Sequence, residues 1–292
     1  MNLHSPATIR KIKEKYGFKL SKSLGQNFLI DKNIIDKIIE GSSMGAQDLV
    51  IEVGPGIGVL TSAAAEKAGK VIAVELDKNL IPILNETLRD HDNIEIINED
   101  ILKVDFNHLL EQNQVINGQK REGVKIIGNL PYYITTPIIM KLLEDRVPAQ
   151  SITIMLQKEV ADRIKAGPGT KAYGALSVAV QYYCTVAHVT HAPKEVFVPR
   201  PKVDSTVIRL DIRKDKPVEL LREASFFAVI KAGFGQRRKT LLNSLVGVYG
   251  LTKDEVAEIL NSAQIDPIRR AETLSIQEFA NIANRVSQFK GV

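Results

Sequence analysis

Cysteine is almost absent from this sequence, which has one, Cys184, among 292 residues. A single cysteine forms no internal disulfide and cannot build a cysteine-rich metal site, so Cys184 is expected to be a small buried hydrophobe in a reducing compartment. Long apolar runs are missing too, because no stretch approaches the roughly 18 residues that a membrane-spanning helix needs. Residues 1–24 also lack the apolar core of a secretory signal. We therefore expect a cytoplasmic protein with neither a metal ion nor a membrane partner.

Charge is present in ordinary amount but is unevenly distributed. The formal net charge is +5, and residues 1–24 alone carry six basic side chains against one acid, Glu14. Further bases cluster in residues 194–216 and 236–239, whereas acids outnumber bases in residues 47–111. Basic clusters of this kind favour a partner with a phosphate backbone, although a run of charge is also typical of an ordinary solvated face.

Strand-like and helix-like segments alternate from Asp31 onward, which predicts a parallel, doubly wound α/β sheet of Rossmann-like type. A turn containing Val198-Pro199-Arg200-Pro201 joins the last two strands, so we expect an antiparallel hairpin that closes a mostly parallel, seven-stranded sheet. The predicted strands are 48–53, 71–76, 94–97, 124–127, 151–156, 185–190 and 205–212.

From about Pro217 onward the patterns are helical only. The predicted helices in this tail are 219–232, 237–246, 253–261 and 276–286. The sequence therefore predicts an α/β domain at residues 1–214, with a basic N-terminal arm, and a smaller all-helical domain at residues 215–292.

The first strand-to-helix turn is rich in glycine, with the sequence Glu52-Val53-Gly54-Pro55-Gly56-Ile57-Gly58. Glycines at the carboxyl edge of a sheet let the backbone approach a ligand closely. A dinucleotide fold would place its third glycine one residue later, where Val59 stands. An adenosyl cofactor without a pyrophosphate does not need that arrangement.

Two acids follow the next two strands. The carboxylate of Glu75 can accept hydrogen bonds from both hydroxyls of a ribose, and that of Asp100 can bind an adenine amine. Each acid alone could be a solvated loop residue. Their placement after successive strands favours an adenosyl site.

The segment Asn129-Leu130-Pro131-Tyr132 follows the fourth strand. The exocyclic amine of adenine is a poor nucleophile because its lone pair is delocalised into the ring. The Asn129 amide oxygen and the Leu130 carbonyl can accept both amine hydrogens, Pro131 stiffens the turn, and Tyr132 can stack on an unstacked base. A sulfonium leaving group lets positioning and electrostatics carry most of the catalysis. Alone the segment could be an ordinary turn; beside the glycines and acids it favours methyl transfer to adenine.

These motifs resemble those of the ribosomal RNA adenine dimethyltransferases, a family that includes a bacterial small-subunit enzyme and the erythromycin-resistance methylases. The resemblance begins at Ser23-Leu24-Gly25 and covers nearly the whole chain. It implies S-adenosylmethionine as cofactor, contacted by Gln26, Asn27, Leu29, Gly54, Gly56, Glu75, Asp100 and Asn129. It also implies that Asn129, Leu130, Pro131 and Tyr132 form the catalytic motif. Phe197, in a later motif at 197–203, would help clamp the target base, although a phenylalanine is usually a core residue.

Residues 234–241 resemble the start of the C-terminal domain of the family's bacterial small-subunit members. This implies dimethylation of two adjacent adenosines near the 3′ end of small-subunit (16S) ribosomal RNA, in an immature small subunit. We expect a monomer. A predicted helix N-terminus near residues 236–239 would also favour phosphate. The predicted RNA contacts are Arg200, Lys202, Arg237, Arg238 and Lys239.

Three other functions were weighed against this one. A resistance-type methylase of large-subunit RNA is disfavoured by the long helical tail. An RNA-binding assembly factor without catalysis would not need the Asn129-Leu130-Pro131-Tyr132 geometry. A nicotinamide-dependent oxidoreductase conflicts with the glycine spacing.

Overall fold

A computed structural model describes residues 2–17, 25–116, 118–236 and 238–291 of the chain. Two compact units are present, one comprising Met1–Ala161 and Val186–Ile212, the other Asp162–Thr185 and Arg213–Val292. The division predicted between residues 214 and 215 lies close to Arg213, where the chain enters the second unit for the last time. The second unit also contains Asp162–Thr185, which the sequence analysis assigned to the α/β domain.

Strands and helices alternate through most of the first unit and give way to helices in the second. The strands are β1 (Phe28–Leu29), β2 (Asp48–Val53), β3 (Lys70–Glu75), β4 (Ile94–Asn98), β5 (Val115–Ile116), β6 (Gln119–Lys120), β7 (Gly123–Asn129), β8 (Ser151–Gln157), β9 (Cys184–Ala192), β10 (Phe197–Val198) and β11 (Ser205–Ile212). The α-helices are α1 (Pro6–Tyr16), α2 (Lys32–Ser42), α3 (Val59–Ala65), α4 (Ile81–Thr87), α5 (Phe106–Gln112), α6 (Thr135–Glu144), α7 (Lys158–Lys165), α8 (Ala175–Tyr183), α9 (Glu223–Gly235), α10 (Leu241–Ser244), α11 (Lys253–Ser262) and α12 (Ile276–Lys290).

The large sheet has seven strands in the order β4-β3-β2-β7-β8-β11-β9, which confirms the predicted fold class. Strands β4, β3, β2, β7 and β8 run parallel to one another, and β11 runs antiparallel to β8. Val53, at the end of β2, lies opposite Val74 and Gly128. The loops that follow β2, β3, β4 and β7 therefore leave the same edge of the sheet.

The sheet is covered by helices because its central strands are apolar on both faces. Residues of β2 and β3 such as Val50 and Val71 are fully buried in one cluster with isoleucines of α2. Helix α2 begins where the Asp31 side chain accepts a hydrogen bond from the Ile34 backbone nitrogen, at 3.1 Å. Its isoleucines at 34, 35, 38 and 39 recur with helical spacing and form one apolar face.

The second unit has its own aromatic core. The ring of Tyr182 in α8 lies 5.0 Å from that of Phe226 in α9, and the rings of Tyr183 and Phe227 stack at 5.7 Å. Capping boxes begin α11 at Thr252 and α12 at Ser275. In each box the hydroxyl of the first residue accepts a hydrogen bond from the backbone nitrogen three residues later, and the glutamate at that later position accepts one from the backbone nitrogen of the first residue. Throughout the described ranges, no helix is long and apolar enough to cross a membrane.

Several helix bounds differ from the sequence-based expectation, most of all at α10, and α1 is an additional helix. The predicted helix at 237–246 is wrong in extent: α10 has only four residues, and residues 238–240 form a turn before it. Helix α1 was not predicted, since its many charges obscured the two buried residues that it contributes, Ile9 and Ile12.

Candidate active site

A cavity lies at the edge of the sheet where β2, β3, β4 and β7 end. All eight residues predicted to contact the cofactor line it: Gln26, Asn27, Leu29, Gly54, Gly56, Glu75, Asp100 and Asn129. Pro131 lines it as well. The topology explains this gathering, because the carboxyl ends of parallel strands meet at one edge of a sheet.

The glycine turn after β2 forms one wall of the cavity with its backbone. Gly54 and Gly56 have φ angles of +69° and +62°, in the left-handed region that disfavours side chains. A Cβ on Gly54 would meet nothing within 4 Å, so open space lies against its backbone, whereas one on Gly56 would lie 3.0 Å from the Phe28 ring. The glycines therefore allow this turn conformation and keep the ring of Phe28 close to the turn.

Two acids from the ends of β3 and β4 enter the cavity. Glu75 is buried, and its two oxygens accept hydrogen bonds from the backbone nitrogens of Gly56, at 3.2 Å, and Asp77, at 2.8 Å. Burial raises the pKa of Glu75 despite these bonds. Asp100 accepts one bond through Oδ1 from the Leu102 nitrogen, at 3.0 Å. Both carboxylates retain lone pairs for a ligand.

Asn129 is held in one orientation. Its Nδ2 donates to the backbone oxygen of Asn27 at 2.8 Å. The backbone oxygen of Asn27 can only accept a hydrogen bond, so the Asn129 side-chain atom that faces it must be Nδ2. The amide oxygen of Asn129 is therefore the side-chain atom that can accept a hydrogen bond from a ligand. The next residue, Leu130, donates its backbone nitrogen to Met155 at 3.0 Å, and its carbonyl accepts no hydrogen bond within the part of the chain that the structure describes. Two adjacent acceptors are thus available.

The two tyrosines that follow have different surroundings. The hydroxyl of Tyr132 lies 2.8 Å from the Oγ of Ser205, which is fully buried on β11. Tyr133 lines the cavity and is 53% exposed, with a ring carbon 3.6 Å from where a Cβ on Gly25 would stand. The sequence motif predicted Tyr132 as the stacking residue and gave no indication that Tyr133 forms a wall of the cavity.

Phe197, predicted to clamp the base, is only 2% exposed. It packs in a core cluster with Leu29, Met155 and Val207, and it lies opposite Leu29 in the pairing of β1 with β10. The buried position is the core alternative that the sequence left open. Its clamping role stays a prediction. In this conformation the ring packs in the same core cluster as Leu29, a residue that lines the cavity.

The predicted RNA contacts fall on separate segments. The Arg200 guanidinium forms an ion pair with Glu195, whereas Lys202 is exposed. Arg238 and Lys239 are exposed in the turn before α10. Arg237 lies outside the described residues.

Glu52, at the end of β2, is a cavity residue that the sequence analysis did not single out. It is 1% exposed, and its Oε2 has no hydrogen-bond partner in the described structure. Burial, with a smaller contribution from the nearby Glu75, raises its pKa to about 8. A buried acid beside a glycine turn is visible in the sequence only as part of that motif. Asp77, which accepts from Gln26 at 2.8 Å, was also missed.

No group of three or more His, Cys, Asp or Glu side chains is arranged to hold a metal ion within the described ranges. The polar groups of the cavity are carboxylates, amides and backbone atoms. They sit among apolar walls formed by Leu76, Leu80 and Ile101, which suits a small organic ligand with polar ends.

Comparison with protein families gives one match, to the model described as ribosomal RNA adenine dimethylase, over residues 17–288. The chain is 55% identical over 285 residues to ribosomal RNA small subunit methyltransferase A of Clostridioides difficile, covering 98% of this chain and 97% of that protein. It is 49% identical over 289 residues to the protein of the same name in Bacillus cereus, covering 97% of each.

Two solved structures share the fold. A dimethyladenosine transferase from Plasmodium falciparum has a TM-score of 0.74 at 24% identity, covering 91% of this chain and 98% of its own. The 23S rRNA methyltransferase ErmE has a TM-score of 0.65 at 25% identity, covering 89% of this chain and 100% of its own.

Proposed function

Because this chain belongs to the ribosomal RNA adenine dimethylase family, we propose that it transfers methyl groups from S-adenosyl-L-methionine to adenosine amines of ribosomal RNA. The targets are two adjacent adenosines near the 3′ end of the small-subunit (16S) RNA. Relatives that are 49–55% identical over almost their whole length, and that carry the name small subunit methyltransferase A, support the choice of subunit.

The orientation of Asn129 is the observation that carries the proposal. Its Nδ2 is committed to the Asn27 carbonyl, which turns its amide oxygen toward an incoming amine. That oxygen and the Leu130 carbonyl accept the two amine hydrogens, so the nitrogen lone pair points at the methyl donor. Fixed acceptors of this kind cost no reorganisation when charge develops on the amine.

The residues of the cavity fit an adenosyl cofactor. Glu75 would bind the ribose hydroxyls, Asp100 the adenine amine, and the Gly54 and Gly56 backbone the amino-acid portion, while Gln26, Asn27 and Leu29 close the other side. When bound, the cofactor supplies a methyl group on a sulfonium, which is already an excellent leaving group. The protein therefore needs to position the amine and exclude water.

Asn129 cannot take up a proton, and the mechanism does not require it to. The amine becomes acidic only after it gains the methyl group, and the proton then leaves to solvent. Pro131 stiffens the turn, and the Tyr132 ring, held by Ser205, offers a stacking surface for the flipped base.

The alternative of a large-subunit resistance methylase is not favoured. The similarity to ErmE is 25% in sequence, half that to the small-subunit methyltransferases. A ribosomal substrate supports a cytoplasmic location and an immature small subunit as partner. The location, the immature-subunit partner and the monomeric state remain predictions.

The test is to map methylated nucleotides by mass spectrometry after incubation with small subunits lacking the modification. We expect dimethylation of two adjacent adenosines in 16S RNA and none in 23S RNA. Asn129→Ala should lower turnover by about 10²- to 10³-fold while leaving RNA affinity unchanged. Modification of 23S RNA alone, or full activity of the variant, would refute the proposal.

A further inference from the structure

A second groove, separate from the cavity, runs along α1. It is lined by Pro6, Ile9, Arg10, Lys13, Glu14, Gly17 and Val198. The first six recur every three or four residues along the helix and just beyond it, at positions 6, 9 and 10, 13 and 14, and 17. They therefore form one stripe along the helix. The wall opposite the helix comes from β10.

Helix α1 is attached to the first unit by its other residues. Ile9 and Ile12 pack in a buried cluster with Phe28 and Leu80. Lys15 forms an ion pair with Glu86 at 2.6 Å, and the Tyr16 hydroxyl binds the same carboxylate. These contacts fix the rotation of the helix and so fix which side chains face the groove.

The two cations that line the groove are Arg10 and Lys13. Within the described ranges neither side chain has an ion pair or hydrogen bond, and Arg10 is exposed. Two cations one helical turn apart repel each other, so an anion between them would relieve that repulsion. Glu14, on the same groove, offsets only one of the two charges.

The groove and the cavity share a wall. Val198 of β10 lines the groove, and its register partner Phe28 of β1 lines the cavity. The chain continues from Val198 into Arg200 and Lys202, which the sequence predicts to contact RNA. A strand whose base enters the cavity would pass this wall on its way out.

We infer that the α1 groove binds backbone phosphates of the substrate RNA strand beside the target adenosine, through Arg10 and Lys13. The apolar wall of Pro6, Ile9 and Val198 contacts the adjoining sugars. The inference rests on the proposed function for the identity of the strand. RNA is favoured over a protein partner because two of the three charged side chains that line the groove are cations.

The test measures the affinity of the full-length protein for a labelled RNA hairpin, over a range of salt concentrations and without turnover. Arg10→Gln with Lys13→Gln should weaken binding about tenfold at low salt. It should also reduce the slope of log affinity against log salt by about 1.4, the value for two phosphates on a single strand. At saturating RNA, kcat should be unchanged and KM for RNA raised.

Lys11 supplies the matched control, because it lies on α1 beside Arg10 but does not line the groove. Lys11→Gln should stay within twofold of the unmodified protein, and Glu14→Gln should bind more tightly. Equal losses for Lys11→Gln and the double variant would overturn the inference in favour of diffuse charge. Normal binding of naked RNA by the double variant, with lost methylation of subunits, would assign the groove to a ribosomal protein and also overturn it. Failure of the proposed function would show separately, as absent methylation with intact groove-dependent RNA binding.

Discussion

The hydrogen bond between Tyr132 and Ser205 allows a test of how single residues position the catalytic segment. Ser205 is fully buried, so removing either hydroxyl should cost about 1 kcal/mol of unfolding free energy. It should also let the tyrosine ring move and lower kcat/KM by about tenfold. Urea unfolding and steady-state kinetics would measure both effects.

Tyr132→Phe and Ser205→Ala remove the same bond. The double variant should therefore lose no more than either single variant, which a double-mutant cycle would reveal. Additive losses would mean that the two hydroxyls act independently and that the bond does not position the ring.

Glu52 makes the stability of the ligand-free protein depend on pH. Its pKa is raised to about 8 by burial, against 4.5 for the free group, so the folded state holds a proton that the unfolded state has released. The resulting stabilisation is complete below pH 4.5, declines as pH rises toward 8 and is absent above it. We expect the unfolding free energy of the protein to fall across that range by a few kcal/mol relative to Glu52→Gln.

Urea unfolding at pH 5, 7 and 9 would check this decline. Glu99→Gln is the control, since Glu99 lines the same cavity but is exposed. A constant difference between the protein and Glu52→Gln at all three pH values would show that Glu52 does not hold the proton.

Much of the cavity could be predicted at the residue level because its members follow strands in fixed order. Glu75, Asp100 and Asn129 each come just after an apolar run, and parallel strands bring such positions together. The partners that orient them could not be predicted. Asn27, which holds Asn129, and Ser205, which holds the neighbouring Tyr132, act through contacts set by tertiary packing, which no local spacing encodes. The buried position of Phe197 depends on the pairing of β1 with β10, and strands of only two residues leave no pattern in the sequence from which that pairing could be predicted.

Among the elements, α1 is attached to α4 through polar contacts with the Glu86 carboxylate. Glu86 on α4 receives both Lys15 and Tyr16. Replacing it with glutamine should change the global unfolding free energy little, since Lys15 is 61% exposed and solvent screens the pair. It should nevertheless speed hydrogen exchange in residues 6–16, because local opening is governed by the contacts of that segment alone.

Asp36→Asn is the control for this comparison. It removes an ion pair with Lys32 that lies within α2 rather than between two helices. Exchange in residues 6–16 should not respond to it. Equal exchange in α1 for Glu86→Gln and the unaltered protein would mean that the apolar contacts of Ile9 and Ile12 suffice.

Strands were easier to predict than helix ends. Residues 48–53 and 205–212 were predicted with the observed bounds, because apolar β-branched runs there are bounded by polar or turn residues. The predicted helix at 219–232 is displaced in the structure, at Glu223–Gly235, and 237–246 is reduced to Leu241–Ser244. Charged residues that favour helix extend the helical pattern in the sequence beyond the residues that are helical in the structure.

For the whole molecule, the division into two units differs from the order of the sequence. Residues 162–185 precede β11 and most of β9 in the chain yet belong to the second unit. The aromatic contacts between α8 and α9 explain this, since Tyr182 and Tyr183 are buried against Phe226 and Phe227. A composition change near residue 215 reveals where the helical tail starts but not that an earlier helix joins it.

A fragment of residues 1–214, cut at the predicted boundary, should therefore be unstable. It keeps α8 but loses α9, which exposes the rings of Tyr182 and Tyr183, and an exposed apolar patch promotes aggregation. We expect the fragment to melt at lower temperature than the full chain and to form aggregates in size-exclusion chromatography. Substituting both tyrosines with serine in the fragment should reduce aggregation, because the exposed patch is removed. A monomeric fragment as heat-stable as the full chain would show that α8 needs no partner from the second unit.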